Sequence, residues 1–299
     1  MAFTVSDAAV RAAVKVAAGF GLASSEPVVL ADGANVIVHL RPSPVVAKVA
    51  ASTTAVRPDP GAWLQRELDV ALFLAAADAA TATATSAATG APVMTPSPEM
   101  PATTYHGDGH VMSFWRYLRS VDGAPPEEAT IGSMLRDLHA ALRPYPGPVP
   151  VLAPLNDIPA FLARPQTRLS ARETAAVSTA YARLTAELDR TCPPSQLQIL
   201  HGDAGAGNLM NTDTGWVWHD FEDTCSGPVA WDLAASTANR QRDRERILAA
   251  YGEPVDPHQL AVCEQLRRLH LTVWYALYAE RIPGLQSRAD ELVALWPVP

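Results

Sequence analysis

Gln198-Ile-Leu-His-Gly-Asp-Ala-Gly-Ala-Gly-Asn-Leu-Met-Asn211 and Trp216-Val-Trp-His-Asp-Phe-Glu222 are the two most informative segments of this chain. The first segment carries Asp203 and Asn208 in a glycine-rich loop, and the second brings Asp220 to the end of an apolar run. A carboxylate that leaves a buried strand is costly unless it meets a metal ion or a hydrogen-bond donor. The two segments therefore predict a polar site where a short strand ends.

The chemistry of this site depends on Asp203, Asn208 and Asp220 in combination. One carboxylate can orient a hydroxyl, while an amide oxygen and a second carboxylate can hold Mg²⁺ beneath a triphosphate. The tripeptide alone carries no information, because His106-Gly-Asp108 repeats it on a predicted hairpin tip, with Ser113 where the asparagine would stand. Only the three residues together predict phosphoryl transfer.

A phosphoryl-donor site also needs a cation on a rigid strand. The chain has two lysines, Lys15 and Lys48. Lys48 lies in the apolar segment 45–49, where an ammonium is costly unless it meets an anion. Glu67, on a predicted helix, is the candidate partner and Asp69 is its competitor. A lysine that reaches solvent from an edge strand, and a solvated Glu67, are the alternatives.

Composition limits the class of protein. The 299 residues are 48% hydrophobic and 18% charged, as expected of a globular protein with one large domain or two lobes. The net charge of −8 argues against a nucleic-acid partner, which needs basic patches. The three cysteines have no paired spacing and indicate free thiols. Neither a signal peptide nor an apolar run of about 20 residues is visible, so we expect a cytoplasmic enzyme without membrane contact.

Hydrophobic periodicity predicts an α+β fold. The expected strands are 27–30, 36–40, 45–49, 103–105 and 110–115, and the expected helices are 7–22, 62–77, 127–142, 171–188 and 257–280. An alanine- and threonine-rich loop is expected over 79–90. This pattern predicts a small β-rich N-terminal lobe over 1–115, a larger helical C-terminal lobe over 116–299, and a cleft between them.

The motifs resemble those of the aminoglycoside phosphotransferase/choline kinase-like family. The resemblance is carried by His201-Gly-Asp203-x4-Asn208, by Asp220-Phe-Glu222 and by Gly227-Pro-Val-Ala-Trp-Asp232. Further similarity lies in the nucleotide-covering loop, the lysine strand and an interlobe helix, at residues 31–36, 45–48 and 134–139. It implies a two-lobed protein-kinase-like fold that uses ATP and Mg²⁺ to phosphorylate a hydroxyl of a small molecule.

The resemblance also implies roles for individual residues. Asp203 would be the catalytic base, and Asn208 and Asp220 would hold Mg²⁺. The ATP site would comprise the covering-loop glycine, the lysine, its carboxylate partner and a hinge that bonds adenine through its backbone: Gly33, Lys48, Glu67, Ser113, Phe114 and Trp115. His201 and Asp232 would brace the catalytic loop.

The sequence does not identify the acceptor molecule. It would lie against the helical lobe, where the candidate contacts are Glu222, Asp223, Trp274 and Tyr278. Glu222 would share the side of Asp220 if that strand continued, and could equally be a second metal ligand. Trp274 and Tyr278 also suit core packing. Amino sugars, aminoglycosides, choline-like alcohols and nucleoside-like alcohols all fit this description, and the oligomeric state is undetermined.

Two other functions compete with this interpretation. A metal-dependent hydrolase would use ligands such as His201, His219 and Asp220. However, His219 and Asp220 are adjacent, so on a strand they point to opposite faces, and Lys48 is left without a role. A pseudokinase would bind a nucleotide without turnover, although every residue that the chemistry requires is present.

Overall fold

The computed structural model describes residues 5–85, 91–238 and 242–297. Contacts divide the chain into two compact units. The first unit is Met1–Ala124 with Leu209–Glu222, and the second is Pro125–Asn208 with Asp223–Pro299. The segment that carries Asp220 thus groups with the N-terminal residues. The lobe boundary predicted at residue 115 stays a prediction.

A five-stranded antiparallel sheet forms the first unit, in the order β1-β2-β3-β5-β4. Its strands are β1 Glu26–Asp32, β2 Asn35–Arg41, β3 Val45–Ala50, β4 Tyr105–Gly107 and β5 His110–Arg116. Every residue of β3 is buried, as expected for a central strand that is apolar except for Lys48. The strands predicted at 27–30, 36–40, 45–49 and 110–115 are confirmed, whereas the one predicted at 103–105 lies two residues later, at Tyr105–Gly107.

Two helices pack on this sheet. In α1, Val5–Ala18, small alanine side chains let the helix backbone approach the core formed by β2, β3 and β5. In α2, Pro60–Thr85, Leu68 and Ala71 pack against Val46 and Trp115. The loop predicted over 79–90 is wrong as far as Thr85, because alanine has the highest helix propensity and extends α2. Residues 86–90 lie outside the described residues.

A second hairpin completes the first unit. It consists of β7, Leu209–Thr212, and β8, Gly215–Trp218, paired antiparallel. The Trp218 backbone binds the chain before β4, because its N–H donates to the Pro92 carbonyl at 2.9 Å and its carbonyl accepts from Met94 at 2.8 Å. These bonds attach the end of β8, and therefore the start of the Asp220 segment, to the first unit.

Helices dominate the second unit. They are α3 Glu128–Leu142, α4 Asp157–Leu162, α5 Ala171–Thr191, α6 Val229–Ser236, α7 Arg244–Tyr251, α8 Pro257–Arg281 and α9 Gln286–Val293. The short strands β6, Gln198–Leu200, and β9, Cys225–Gly227, pair antiparallel. The long helix α8 begins after Asp256, whose carboxylate accepts from the next free N–H groups, and packs against α4, α5, α6 and α9. Within the described ranges, no helix combines the length and apolarity needed to span a bilayer.

Candidate functional site

A cavity of about 460 Å³ opens in the first unit beside the β1–β2 turn. Most of its walls are apolar and come from Leu30, Ile37, Val46, Met94, Trp115, Tyr117, Leu118 and Met210. The lining also includes Gly33 and the charged residues Lys48, Glu67 and Asp220. An apolar chamber with a few charged groups is the usual form of a small-molecule site. We call it the apolar cavity.

Lys48, at the wall of this cavity, contacts three carboxylates. Its side chain is 7% exposed, and Nζ donates to Glu67 Oε2 at 2.7 Å and to Asp220 Oδ1 at 2.5 Å. Nζ also lies 2.9 Å from Glu222 Oε2. The expected partner of Lys48 is therefore in contact with it, whereas Asp69 accepts from a glutamine one turn earlier on α2.

The electrostatics of this group are dominated by burial and crowding. Burial alone would lower the pKa of Lys48, but the charges of Asp220, Glu222 and Glu67 raise that pKa well above its usual value. Burial raises the pKa of Glu67 to about 8, since desolvation and the neighbouring acids outweigh the attraction of Lys48. The three carboxylates lie within 4.8 Å of one another. Lys48 and Arg57 neutralise part of the charge of these carboxylates.

The backbone after β8 determines how Asp220 and Glu222 point. β8 ends at Trp218, and Asp220 adopts a left-handed conformation with φ of 69°, which aspartate adopts more readily than most residues other than glycine. Glu222 follows in a short 3-10 turn, where its buried carboxylate accepts from Asn35 at 2.9 Å and contacts Arg57 at 3.0 Å. The strand does not continue to Glu222, so the argument from strand alternation does not apply.

The residues predicted as the hinge lie on β5. Ser113 and Phe114 are buried, and the Phe114 carbonyl already accepts from Ser97 at 3.0 Å. Of the predicted trio, only Trp115 lines the apolar cavity; Arg116, Tyr117 and Leu118 line it as well. The lining segment therefore lies at the end of β5 and just beyond it, after the predicted residues Ser113 and Phe114.

The second unit holds the His-Gly-Asp loop between β6 and the 3-10 turn Ala206–Asn208. The Asn208 amide donates to the Asp203 carbonyl at 2.7 Å and to Asp203 Oδ2 at 3.1 Å. Because the amide nitrogen is used in this way, the amide oxygen is turned away from Asp203 and can face a cation. The two residues that the spacing singled out are thus brought together.

Asp232, on α6, binds the backbone of this loop. Its carboxylate accepts from the backbone N–H of His201 at 2.8 Å and of Gly202 at 2.9 Å, and contacts His139 Nε2 at 3.0 Å. His139 Nδ1 is 2.9 Å from the Tyr251 hydroxyl. Burial would raise the pKa of Asp232, but the hydrogen bond and charge of His139, the charge of His201 and the Gly202 N–H lower it. The predicted bracing contacts of Asp232 are present, and they extend to α3 and α7.

Arg267 is the site residue that sequence reasoning missed. It lies on α8, and its guanidinium contacts Asp203 Oδ1 and donates to the Gly202 carbonyl at 3.3 Å. The two residues are 64 positions apart, and an arginine in an amphipathic helix is an ordinary surface residue by pattern. No signal in the sequence distinguishes Arg267 from Arg268.

The predicted acceptor residues are less accessible than expected. Trp274 is buried on α8, where its indole N–H lies 3.1 Å from Asp157 Oδ2 and 2.9 Å from His270 Nε2. Its ring packs 5.4 Å from that of Tyr278, which is half-buried. Asp223 is buried as well. Packing therefore accounts for Trp274, while Tyr278 keeps part of its surface open.

Solved structures of small-molecule kinases share this fold. Choline kinase LicA from Streptococcus pneumoniae aligns with a TM-score of 0.61 and 15% identity, over 96% of this chain and 99% of that one. An amicoumacin kinase in complex with AMP-PNP and Ca²⁺ aligns with a TM-score of 0.61 and 13% identity, over 91% and 89%. A type VIII aminoglycoside-3'-phosphotransferase aligns at 0.60 and 19% identity, over 86% and 97%. The predicted α+β, protein-kinase-like fold is confirmed.

The family itself is identified by sequence. No curated protein sequence matches this chain significantly. The model of the phosphotransferase enzyme family, however, matches residues 34–263, which include Lys48, Asp203, Asn208 and Asp220. That match covers more than half of the chain, from the end of the covering loop to α8. The chain therefore belongs to the phosphotransferase enzyme family and is a small-molecule kinase.

Proposed function

We propose that this enzyme transfers the γ-phosphoryl group of ATP to a hydroxyl of a small molecule that carries an amino group. The observation that carries the proposal is Lys48, held by Glu67 and Asp220 at the wall of the apolar cavity. A buried ammonium on a rigid strand, adjoining a chamber that accepts a flat base, suits a nucleoside triphosphate. In this role Lys48 contacts the ATP phosphates and Glu67 orients it.

The nucleobase contacts are proposed at the end of β5. Trp115 supplies an aromatic wall. The hydrogen bonds to adenine come from backbone groups of residues 116–118 other than the Arg116 and Tyr117 N–H groups, which donate to the Thr95 and Pro44 carbonyls at 3.1 and 2.9 Å. Two observations support this choice over Ser113 and Phe114. Both of these residues are buried, whereas Arg116, Tyr117 and Leu118 line the apolar cavity. Gly33 is proposed to close over the phosphates.

Magnesium is the metal that the donor set suits. Asp220 offers a carboxylate that is 37% exposed, and Asn208 offers its amide oxygen; we propose both as ligands. Hard oxygen donors without thiolate or imidazole favour Mg²⁺ over Zn²⁺ or iron. When bound, the ion neutralises charge on the triphosphate. Among the described residues, the one cluster whose side chains lie close enough together to hold an ion is Glu67, Asp220 and Glu222. It contains neither His nor Cys, which disfavours a transition-metal hydrolase.

The protein groups then act by orientation and proton transfer. Asp203 accepts a hydrogen bond from the acceptor hydroxyl and takes its proton late, because a loose phosphoryl-transfer transition state depends on alignment and charge more than on a strong base. Its carboxylate is 37% exposed, so a hydroxyl can reach it. Asn208 fixes the second oxygen of that carboxylate.

The acceptor is proposed to lie near Asp223 and the Tyr278 end of α8. The carboxylate of Glu222 is already engaged by Lys48, Arg57 and Asn35, so an anchoring role fits it better than an acceptor contact. An amino group on the acceptor is favoured because several kinases of this fold are named for amine-bearing substrates, and because the chain has a net charge of −8.

The test is a coupled assay of ADP release from Mg·ATP across amino alcohols, amino sugars and aminoglycosides. At least one amine-bearing alcohol should raise ADP release far above the rate with water, and Lys48→Met should abolish the increase. Metal analysis of the purified enzyme provides the second arm. Stoichiometric, tightly bound Zn or Fe with no acceptor-dependent ADP release would contradict the proposal and favour a hydrolase.

A further inference from the structure

Arg267 is a buried cation aimed at the proposed base. Its side chain is 7% exposed, Nη2 contacts Asp203 Oδ1, and Nη1 donates to the Gly202 carbonyl at 3.3 Å. The guanidinium also lies 5.0 Å from the centroid of the Trp231 ring, a distance at which cation–π attraction operates. Trp231 itself donates to the same Gly202 carbonyl at 2.7 Å. Three contacts therefore fix the direction of Arg267.

The contacts of Arg267 contribute little to the stability of the fold. Nε of Arg267 is buried, and within the described part of the chain it has no hydrogen-bond partner. An unsatisfied buried donor opposes folding. Asp203 is 37% exposed, and a half-solvated carboxylate gains little from an ion pair. A buried guanidinium that leaves one donor unused in order to reach a solvated carboxylate indicates a role in the reaction.

The loop supplies no other cation to Asp203. Residues 204–207 are Ala-Gly-Ala-Gly and carry no polar side chain. The second carboxylate oxygen, Oδ2, accepts from Asn208 at 3.1 Å. In the ranges that the structure describes, Arg267 and Asn208 are the two side chains whose donors reach this carboxylate, one at each oxygen. The rotation of the carboxylate is thereby fixed from both ends.

We propose that Arg267 is a positioning residue of the phosphoryl-transfer reaction. By holding Oδ1, it fixes the plane of the Asp203 carboxylate, so that the remaining lone pair of Oδ2 faces the acceptor hydroxyl. Without it, the carboxylate turns about its χ angles and the hydroxyl is misaligned. Trp231 and the Gly202 carbonyl hold the guanidinium in place. This inference rests on the proposed function of Asp203 as the base.

The experiment is a double-mutant cycle on kcat, with Arg267→Met, Asp203→Asn and the double variant. ADP release from Mg·ATP is measured with the best acceptor of the panel, or with water if none is accepted. We expect Arg267→Met to lower kcat about 100-fold, the usual effect of a small misplacement. In the Asp203→Asn background it should lower kcat by less than about twofold, because the two residues act as one unit.

Conservative and matched variants separate positioning from folding. Arg267→Lys should recover roughly tenfold of the lost kcat, and added guanidinium should partly rescue Arg267→Ala but not Asp203→Asn. KM for ATP should stay within about twofold in every Arg267 variant. Arg268→Met, the same change one position along α8, should leave kcat unchanged.

Failure of this inference is distinguishable from failure of the proposed function. Near-wild-type kcat in Asp203→Asn overturns the base itself. If Asp203→Asn is slow but the two substitutions multiply in the double variant, Arg267 acts elsewhere and the positioning role is overturned. The positioning role is also overturned if Arg267→Met loses kcat together with ATP affinity and thermal stability while guanidinium gives no rescue.

Discussion

The tripeptide His-Gly-Asp occurs twice in this chain, and the two copies differ in their position in the fold and in their contacts. His106-Gly-Asp108 lies at the tip of the β4–β5 hairpin, where Asp108 has φ of 48° and forms an exposed ion pair with Lys15 at 2.6 Å. His201-Gly-Asp203 lies in the loop after β6, where the N–H groups of His201 and Gly202 bind the buried Asp232.

The difference lies in what surrounds each aspartate. Asp108 is held by one flexible lysine in solvent, so its position is loosely defined. Asp203 is contacted at one oxygen by Arg267 and at the other by Asn208, and its backbone rests on Asp232 through the two preceding residues. Catalysis needs a fixed carboxylate. The neighbours of the tripeptide, and not the tripeptide itself, determine how firmly each aspartate is held, which supports our proposal of Asp203 as the base.

Removal of the negative charge from Asp203 and from Asp108 should give the largest difference between the two copies. Asp203→Asn should lower turnover by roughly 10²- to 10⁴-fold, since a general base contributes on that scale, and should leave ATP affinity unchanged. Asp108→Asn should leave turnover within about twofold of wild type. Both are measured as kcat from ADP release. Equal losses in the two variants, or none in Asp203→Asn, would refute the distinction.

The glycines of the two copies give the next largest effect. Gly202 has φ of 87°, and a Cβ there would lie 1.9 Å from the Asp223 carbonyl oxygen. Because backbone cannot move aside cheaply, Gly202→Ala should destabilise folding by roughly 3 kcal/mol. At Gly107 a Cβ would meet the Val16 side chain at 2.7 Å, which can rotate, so Gly107→Ala should cost about 1 kcal/mol. Chemical denaturation measures both changes in the free energy of unfolding.

Gly109→Ala is the control for Gly202→Ala. Gly109 also has a positive φ, of 81°, but its Cβ would meet nothing within 4 Å. Gly109→Ala therefore isolates the conformational cost from the steric one. If Gly202→Ala proves no more harmful than Gly109→Ala, the close approach of the loop to residue 223 is not a real constraint.

The contacts between Asp232 and the backbone of His201 and Gly202 predict that the stability of the fold depends on pH. The pKa of Asp232 is lowered below 3.8, so its ionised form stabilises the fold fully above that value and the contribution fades as pH falls through the folded-state pKa. Asp232→Asn replaces an acceptor by a donor facing two N–H groups and should cost about 2 kcal/mol at pH 7. The difference in Tm between variant and wild type, roughly 4–8 °C at pH 7, should shrink below about pH 3.8.

Local patterns predicted most of the fold and the contact between Lys48 and Glu67. Branched apolar runs located β1, β2, β3 and β5, since such residues fit a pleated sheet, whereas β4, which has no such run, was predicted two residues too early. Lys48 and Glu67 were paired correctly, because a lysine in an apolar strand needs an anion and few acids are near it. The extension of α2 to Thr85 was missed because an alanine-rich segment is ambiguous between a helix and a low-complexity loop.

The remaining contacts depend on chain crossings that no local pattern encodes. Arg267 reaches Asp203, and His139 reaches Asp232, only because α8 and α3 pack where they do. Glu222 turned inward because β8 ends early and the chain enters a 3-10 turn. The family match covers the motif residues, but supporting residues at a distance in sequence require the three-dimensional structure.

The smallest effect belongs to the ion pair of the first copy. Lys15 and Asp108 are 70% and 48% exposed, so their attraction is screened by water and their ordering costs side-chain entropy. Lys15→Ala should therefore change the free energy of unfolding by less than about 0.5 kcal/mol. In 1 M NaCl, where the Debye length is about 3 Å, even this difference should vanish. A larger, salt-insensitive loss would mean that Asp108 is held as firmly as Asp203, and the contrast between the two copies would then have to rest on Asn208 and Asp232 alone.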